Sequence, residues 1–149
     1  MRDLREYITL NESEVGNLRP TMKDELKELI RRRMNEQGPS CDLNDIDVSK
    51  VTDMSHLFAY SDFNGDISKW DVSKVRNMSS MFANSKFDGD ISKWDVSNVQ
   101  DMSEMFAYSK FSGDIDKWDV RRVANMRDIF YKSPLSSLKG KAPRWYKVN

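Results

Sequence analysis

The chain repeats itself every 24 residues, and this period limits the folds it can adopt more than any other feature of the sequence. The dipeptide Asp-Val recurs at Asp47, Asp71, Asp95 and Asp119 without any insertion. The four units read DVSKVTDMSHLFAYSDFNGDISKW, DVSKVRNMSSMFANSKFDGDISKW, DVSNVQDMSEMFAYSKFSGDIDKW and a shorter DVRRVANMRDIFYKSPLSSL. A fixed period of this length predicts a stack of similar units, each of which buries its apolar side chains against its neighbours.

Two apolar patterns follow each other within a unit. Residues 67–75 alternate around Trp70 and Val72, which predicts a short strand, whereas residues 78–82 have the three-and-four spacing of a helix. The Asp or Asn before each Met-Ser segment, such as Asn77, predicts a helix cap. The glycine of each unit predicts a tight turn that needs a permissive backbone. Together these patterns predict an α/β solenoid with about four leucine-rich-repeat-like coils of 24 residues.

The flanks of the repeats predict two caps, because the open ends of a stack expose apolar surface. We expect a helical cap over residues 20–40, with a capping box at Thr21 and Asp24 and a stop at Gly38. The predicted organisation has four segments: an amphipathic leader at 1–19, the helical cap at 20–40, the solenoid at 41–135, and a C-terminal cap or edge strand at 136–149, in which Trp145 covers the tryptophan column.

The repeat resembles a known family. The pattern W-D-V-S-x-V-x-(D/N)-M-S-x-(M/L)-F, followed by F-x-G-D-I, is similar to the BspA-type leucine-rich repeat, a domain of unknown function in bacterial surface proteins and mycoplasma lipoproteins. The resemblance covers residues 41–135 and implies a right-handed solenoid that binds other molecules, often in adhesins, without catalysis. The chain shows no signal peptide, lipobox or cell-wall anchor, which departs from that adhesin pattern.

The first dozen residues carry a second resemblance. The segment MRDLREYITLNE places Leu4, Tyr7 and Ile8 on one face of a short amphipathic helix. It resembles the leader of some internal head proteins of tailed bacteriophages, in which a Leu-x-Glu processing site follows the helix, here at residues 10–12. This resemblance implies a protein that is packaged in a phage head or encoded by a phage.

Most of the repeated side chains fit a core better than a site. Trp70, Trp94 and Trp118 share the parity of buried valines and are expected to stack inside, although a platform for a sugar or peptide is an alternative. The methionine columns have the spacing of a helical core and are expected to fill it, although a soft-metal site is an alternative. They comprise Met54, Met78, Met102, Met126, Met81 and Met105.

The chain shows no recognisable catalytic constellation. His56 occupies a variable polar position without a nucleophile beside it, and Cys41 replaces a repeat glycine, so both are interpreted as structural or surface residues. Carboxylate pairs such as Asp88 with Asp90 leave calcium as an alternative, but their spacing matches no calcium loop. We therefore predict a protein that is not an enzyme and has no cofactor and no metal site.

The outer face of the predicted strands is the predicted partner-binding site, with a solvated face as its alternative. Lysine and aspartate columns on that face are expected to pair diagonally. The site consists of Lys69, Asp71, Ser73, Lys93, Asp95, Ser97, Lys117, Asp119 and Arg121. The variable positions of the helical edge, headed by Thr52 and His56, are the second candidate surface.

Charge and hydropathy exclude several other classes of function. Lysine and arginine total 24, as do aspartate and glutamate, so no global field attracts nucleic acid; Arg31, Arg32 and Arg33 fit a helix end. No segment has the length of a membrane span. We predict a protein–protein interaction module without a nucleic-acid partner, in a bacterial or phage-infected cytoplasm or in a virion. The alternatives are a packaged virion protein and a surface adhesin, and the oligomeric state stays open.

Overall fold

The computed structural model describes residues 19–136 and 140–147. Within these residues it contains a single α-helix, α1, over Lys23–Gln37, and no β-strand. Isolated parallel bridges join successive repeats; they pair Asp42 with Asp66, Asp53 with Asn77, Asn77 with Asp101, and Asp101 with Asn125. The two residues of each bridge are 24 positions apart, so the bridges follow the period of the sequence. Most of the described chain consists of hydrogen-bonded turns.

The predicted α/β solenoid is wrong, because its strands and its short helices do not form in the described residues. Where a strand was expected, the chain makes two consecutive tight turns. The amide of Trp70 donates to the carbonyl of Ile67 at 3.2 Å, and the amide of Val75 donates to the carbonyl of Val72 at 3.0 Å. Closures over three residues bend the backbone back on itself, so residues 67–75 are not extended.

The helix expected at residues 78–82 has its equivalent in the first repeat from Met54 onwards, and this segment is also a run of turns. The amides of Leu57, Ala59 and Ser61 each donate to the carbonyl three residues earlier, at 3.1–3.3 Å. The alternate amides donate to the next repeat instead: Met54 to Asn77 at 2.9 Å, His56 to Ser79 at 3.0 Å, Phe58 to Met81 at 2.8 Å and Tyr60 to Ala83 at 2.9 Å. An α-helix needs these same amides for bonds to the fourth preceding residue, so the two patterns exclude each other.

The Asp or Asn before each Met-Ser segment caps a turn rather than a helix. Asp53 Oδ1 accepts the amide of Ser55 at 2.9 Å, and Asn77 Oδ1 accepts the amide of Ser79 at 2.9 Å. A side chain that accepts the amide two residues ahead forms an Asx-turn. These side chains accept backbone amides, as predicted, but the element that they begin is a turn and not a helix.

The predicted core columns are confirmed. Trp70, Trp94 and Trp118 are each only 4% exposed. Their indole N–H groups donate to the carbonyls of Leu43 at 2.9 Å, Ile67 at 3.0 Å and Ile91 at 3.1 Å. A phenylalanine column stacks beside them, with ring centroids 5.6–5.8 Å apart between successive repeats; it consists of Phe58, Phe82, Phe106 and Phe130. Met54, Met78 and Met102 are fully buried, whereas Met126 in the last repeat is partly buried.

The repeat glycines serve a different purpose from the predicted one. Among the described residues, only Gly38 and Gly140 are glycines with positive φ, at 87° and 67°. A Cβ added at Gly65 would lie 1.8 Å from the carbonyl oxygen of Cys41, and one at Gly89 would lie 3.2 Å from the carbonyl oxygen of Gly65. Gly65 is therefore required because the backbones of successive repeats approach closely, and Gly89 because a Cβ there would lie 2.7 Å from the ring of Phe87.

Helix α1 covers the first repeat through the buried side chains of Leu26, Leu29 and Ile30. Arg33 fixes it with two bonds to the carboxylate of Asp45, at 2.8 and 2.9 Å. The predicted capping box is wrong, because α1 begins at Lys23 and its N-cap, Met22, makes no side-chain cap bond. The helix ends before Gly38, as predicted.

The other end of the stack is covered by residues 140–147, which contain no strand. The indole N–H of Trp145 donates to the carbonyl of Ile115 at 2.8 Å, so Trp145 makes the same kind of bond as the tryptophans of the repeats. Tyr146 packs edge-on against Phe130 with a centroid distance of 5.0 Å. Both covering side chains are themselves only half-buried.

Candidate functional site

The nine residues of the predicted partner-binding site lie on one outer face, and all of them are exposed or half-buried. We call this face the turn face; it comprises Lys69, Asp71, Ser73, Lys93, Asp95, Ser97, Lys117, Asp119 and Arg121. Equivalent side chains form columns because the repeats stack in 24-residue register. The face is built from turns rather than from a sheet, since the described residues contain no strand.

The aspartates of the turn face are held by their own turns. Asp71 Oδ1 accepts the amide of Ser73 at 3.0 Å and its hydroxyl at 2.6 Å. Asp95 and Ser97 repeat this arrangement with the same distances. The hydroxyl and the amide of Ser73 lower the pKa of Asp71, because both bonds favour the charged carboxylate. One oxygen of each carboxylate is therefore committed to the fold.

The lysines of the turn face have no carboxylate partner. Among the described residues, no ion pair within 4.0 Å involves Lys69, Lys93 or Lys117. The predicted diagonal pairing of lysines with aspartates is therefore wrong. Like charges at about 5 Å in water repel by roughly 1 kcal/mol or less, which a packed core easily offsets. These three ammonium groups form a row on the surface that has no ion pair within residues 19–136 and 140–147.

The last repeat changes the turn face. Arg121 replaces the serine of the earlier turns, and its Nε and Nη2 donate to the two carboxylate oxygens of Asp119, both at 2.9 Å. The Arg121 side chain, together with its amide, lowers the pKa of Asp119 to about 2. The next residue, Arg122, donates from Nη1 to Asn98 Oδ1 at 2.6 Å. A cleft of about 440 Å³ lies between Ser97, Asn98, Asp119, Arg121 and Arg122.

A second exposed surface carries aromatic side chains. Tyr60, Tyr108 and Tyr131 are 80%, 49% and 48% exposed. Tyr108 and Tyr131 meet edge to face at 5.4 Å, and the ammonium of Lys132 lies 5.8 and 5.7 Å from their ring centroids. We call these four residues the tyrosine edge. Large apolar groups left in solvent are typical of surfaces that bind other proteins.

The backbone beneath the tyrosine edge is left-handed. Tyr60 has φ 59° and Tyr108 has φ 57°, and the equivalent residues Asn84 and Lys132 have 55° and 51°. Asparagine tolerates this conformation, whereas a bulky aromatic residue adopts it at a cost. The sequence interpretation missed the tyrosine edge, because it gave no role to the positions that follow the expected helix at residues 78–82. The alternation of Tyr and Asn at one repeat position was the available signal.

The neighbouring left-handed column consists of the variable residues of the predicted helical edge. His56, Ser80, Glu104 and Asp128 have φ between 54° and 59°. His56, Glu104 and Asp128 are exposed, and Ser80 is buried. This column lies on turns, so the second predicted surface is not helical. Its exposed members extend the tyrosine edge with polar groups.

The residues weighed for catalysis or metal binding are occupied by structural roles. Cys41 is buried and burial raises its thiol pKa, which disfavours the reactive thiolate. Asp88 accepts the amide of Ser112 at 2.8 Å, and Asp90 accepts the amide of Ser92 at 3.0 Å. In the described part of the chain, no group of three or more His, Cys, Asp or Glu side chains is placed to hold a metal ion.

The comparisons identify the family. The model of the family described as "Mycoplasma protein of unknown function, DUF285" matches residues 25–145. The chain belongs to this family. No curated protein and no solved structure matches the sequence. The match to DUF285 covers α1 except for its first two residues, the four repeats and the covering Trp145, and the family description assigns no activity.

Two further predictions from the sequence concern a membrane span and the N-terminal leader. No helix of the described residues has the length and apolar character required to cross a membrane. The amphipathic leader and the Leu-x-Glu segment at residues 10–12 lie outside the described residues.

Proposed function

We propose that this DUF285 protein is a non-enzymatic module that binds a protein partner through its outer surface. The observation that carries the proposal is the tyrosine edge, where Tyr60 is 80% exposed on a left-handed backbone. Tyrosine offers a large, rigid contact area and a hydroxyl, and it is enriched in the residues that dominate binding energies at protein interfaces. Here the side chain gains little packing within its own chain, so a contact with another molecule explains it better.

The stacked turns beneath the tyrosine edge support this interpretation. Phe58, Phe82 and Phe106 are at most 1% exposed and stack directly below the turns that carry the tyrosines. A surface held by a packed column loses little conformational freedom when a partner binds. The repeat thus serves as a rigid support for side chains that vary between its copies.

The turn face is the second surface for a protein partner. Its three lysines, which have no ion pair in the part of the chain that the structure describes, form a stripe of positive charge, and its aspartates, held by their own turns, form a stripe of negative charge. Such stripes can select a partner by electrostatic complementarity. Charged rims contribute mainly to association rate and selectivity, so we assign the tyrosine edge the larger share of the affinity. This assignment ranks the tyrosine edge, which the structure revealed, above the turn face, which was predicted from the sequence.

The proposal is tested by affinity capture from the native cells with three forms of the full chain. The first variant carries Tyr60→Asn and Tyr108→Asn, which copy the residue of the second repeat. The second carries Lys69→Gln, Lys93→Gln and Lys117→Gln on the turn face. Cross-linking with mass spectrometry then locates each captured protein on the surface. We expect a specific partner that is lost with the tyrosine variant and weakened with the lysine variant.

The tyrosine variant is expected to fold as the wild type does, so a loss of the partner would not result from unfolding. Asparagine already occupies the left-handed position at Asn84, so Tyr60→Asn should leave the free energy of unfolding unchanged or raise it by up to about 1 kcal/mol. A variant that is as stable as the wild type but fails to retain the partner locates the binding surface. Equal recovery of the same proteins by all three forms would remove both surfaces from the proposal.

The proposed cellular setting has two alternatives from the sequence, a packaged virion protein and a surface adhesin. Both depend on the resemblances of the repeat and of residues 1–12. Mass spectrometry of the mature protein, from infected and from uninfected cells, decides between them. Loss of residues 1–12 during infection supports the virion protein, and display of the intact chain on the cell surface supports the adhesin.

A further inference from the structure

The fourth repeat breaks the pattern of the turn face at two adjacent positions. The earlier repeats place Ser49, Ser73 and Ser97 at the first of these positions, and the fourth places Arg121 there. The second position holds Lys50, Lys74 and Asn98 before Arg122. The two arginines thus stand side by side in the repeat that no further repeat follows, and they line the 440 Å³ cleft. We call this site the arginine cleft; it is lined by Ser97, Asn98, Asp119, Arg121 and Arg122.

The two arginines have different roles in the cleft. Arg121 is bound to both oxygens of Asp119, so these two charges neutralise each other. Arg122 has no ion pair within 4.0 Å in the described chain, and its one bond goes to the neutral Asn98. A guanidinium has five N–H donors, so most of those of Arg122 stay available for a ligand.

Arg122 is also held in place for binding. Asn98 Oδ1 accepts its Nη1 at 2.6 Å, and Asn98 Nδ2 donates in turn to the carbonyl of Ser73 at 2.7 Å. The guanidinium is therefore tied to the backbone two repeats earlier through a single amide side chain. A cation fixed in this way loses less side-chain entropy on binding than a free arginine does.

The sequence from residue 119 onwards, which supplies both arginines of the cleft, is basic. Residues 119–149 contain eight basic and two acidic side chains, a formal charge of +6, whereas the whole chain is neutral. Residues 1–118 therefore carry −6. Arg144 is 92% exposed and binds Asp116 at 2.8 Å, which neutralises a further carboxylate near the last repeat. A local excess of positive charge attracts anions and raises their association rate.

We propose that the arginine cleft binds a carboxylate side chain from an acidic, extended segment of another protein, with Arg122 as the anchoring residue. The planar guanidinium matches the two oxygens of a carboxylate. Among the described residues, Arg122 is the one arginine of the cleft without an ion pair, and a single guanidinium matches one carboxylate better than the run of phosphates in a nucleic acid. This inference rests on the proposed function and deepens it, because Ser97, Asp119 and Arg121 belong to both the cleft and the turn face.

The test uses the full chain and a fluorescently labelled deca-glutamate peptide, with affinity measured by anisotropy at low salt. The test variant, Arg121→Ser with Arg122→Asn, gives the fourth repeat the same residues as Ser97 and Asn98 of the third. The control variant, Lys74→Asn with Arg76→Gln, also removes two positive charges and uses the residues of the third repeat. We expect the test variant to bind about tenfold more weakly, and the control to stay within about twofold of the wild type.

Four results would overturn the proposal. These are no binding by the wild type, equal weakening in the two variants, tighter binding of a ten-nucleotide DNA strand through the same arginines, and self-association that the Arg122 substitution abolishes. The third would assign the cleft to nucleic acid and the fourth to a second copy of this chain. Peptide binding by the test variant and partner capture by the tyrosine variant are separate measurements, so failure of the cleft leaves the proposed function intact.

Discussion

The interior repeats, residues 71–118, and the last repeat, residues 119–136, have the same apolar pattern but different packing. Val96 and Val99 of the interior are 1% and 0% exposed, whereas the equivalent Val120 and Val123 are only half-buried. The interior turns close their aspartates with serine, and the last turn closes Asp119 with Arg121. The same apolar sequence pattern therefore gives a tightly packed core only where a repeat covers each side. In the last repeat the valines are less buried, and a charged arginine replaces the serine of the turn.

The hydrogen bonds differ in the same way. Interior amides donate forward to the following repeat, as Met78 does to Asp101 at 2.8 Å and Met102 to Asn125 at 2.9 Å. In the described chain, the equivalent amide of Met126 donates to no backbone carbonyl, and the same holds for Asp128 and Lys132. Open amides at the end of a ladder invite aggregation unless charged residues guard them. Arg127, Asp128 and Lys132 are exposed at this end.

The largest expected difference is in the phenylalanine column. Phe106 stacks against Phe82 at 5.6 Å and Phe111 at 4.6 Å, and it is fully buried. Phe106→Ala should lower the free energy of unfolding by about 3–5 kcal/mol. Phe130→Ala should cost clearly less, because Trp145 and Tyr146 can move into the space that it leaves. Denaturant unfolding of both variants measures the difference; equal losses would mean that the last repeat is as tightly packed as the interior.

A smaller difference is expected in the tryptophan column. Trp94→Phe removes the indole donor from the buried carbonyl of Ile67, which should cost about 1–3 kcal/mol. Trp145→Phe removes the equivalent bond to Ile115, but Trp145 is half-buried and water can replace its donor. We expect a cost below about 1 kcal/mol from the lost bond. Thermal unfolding compares the two, and a larger loss at Trp145 would show that the covering segment is the stronger part.

The smallest predicted effect concerns the carboxylates of the turn face. Arg121→Ala should raise the pKa of Asp119 from about 2 towards the ordinary value of 3.8, since the arginine is the main cause of the shift. A depressed pKa contributes stability that is fully present above pH 3.8 and is lost as the pH falls through about 2. In the variant this contribution should become smaller. Carboxyl NMR shifts followed with pH measure the midpoint, with Asp71 as the internal control. An unchanged midpoint for Asp119 would contradict the role of Arg121.

The sequence predicted the period, the buried columns and α1, because these depend on where apolar side chains recur. It failed on the elements within each repeat. The spacing of Met54 and Leu57 fits a helix, and it fits a turn closed over three residues equally well. The alternation over residues 67–75 fits a strand, yet the amide of Trp70 closes a turn on the carbonyl of Ile67. The left-handed residues lay outside sequence reasoning because none is a glycine; His56 and Tyr60 are examples.

For the candidate surfaces, too, some features were predictable from the sequence and others required the structure. The exposure of the turn face was predictable, since its residues alternate with buried ones. The locked state of Asp71 and the absence of an ion pair at Lys69 depend on side-chain distances that no spacing gives. The arginine cleft had a visible signal, because Arg121 and Arg122 depart from the repeat, but its anchoring through Asn98 required the structure.

Native-state hydrogen exchange most directly tests the difference between the interior amides, which donate to the following repeat, and the amides of the last repeat, which do not. We predict strong protection at the amides of Met78, Phe82, Met102 and Phe106, which donate to the next repeat. The amides of Met126, Asp128 and Lys132 should exchange fast. Protection of residues 126–132 equal to that of the interior would contradict the account, and so would an exchange pattern in residues 78–84 that matches a continuous helix.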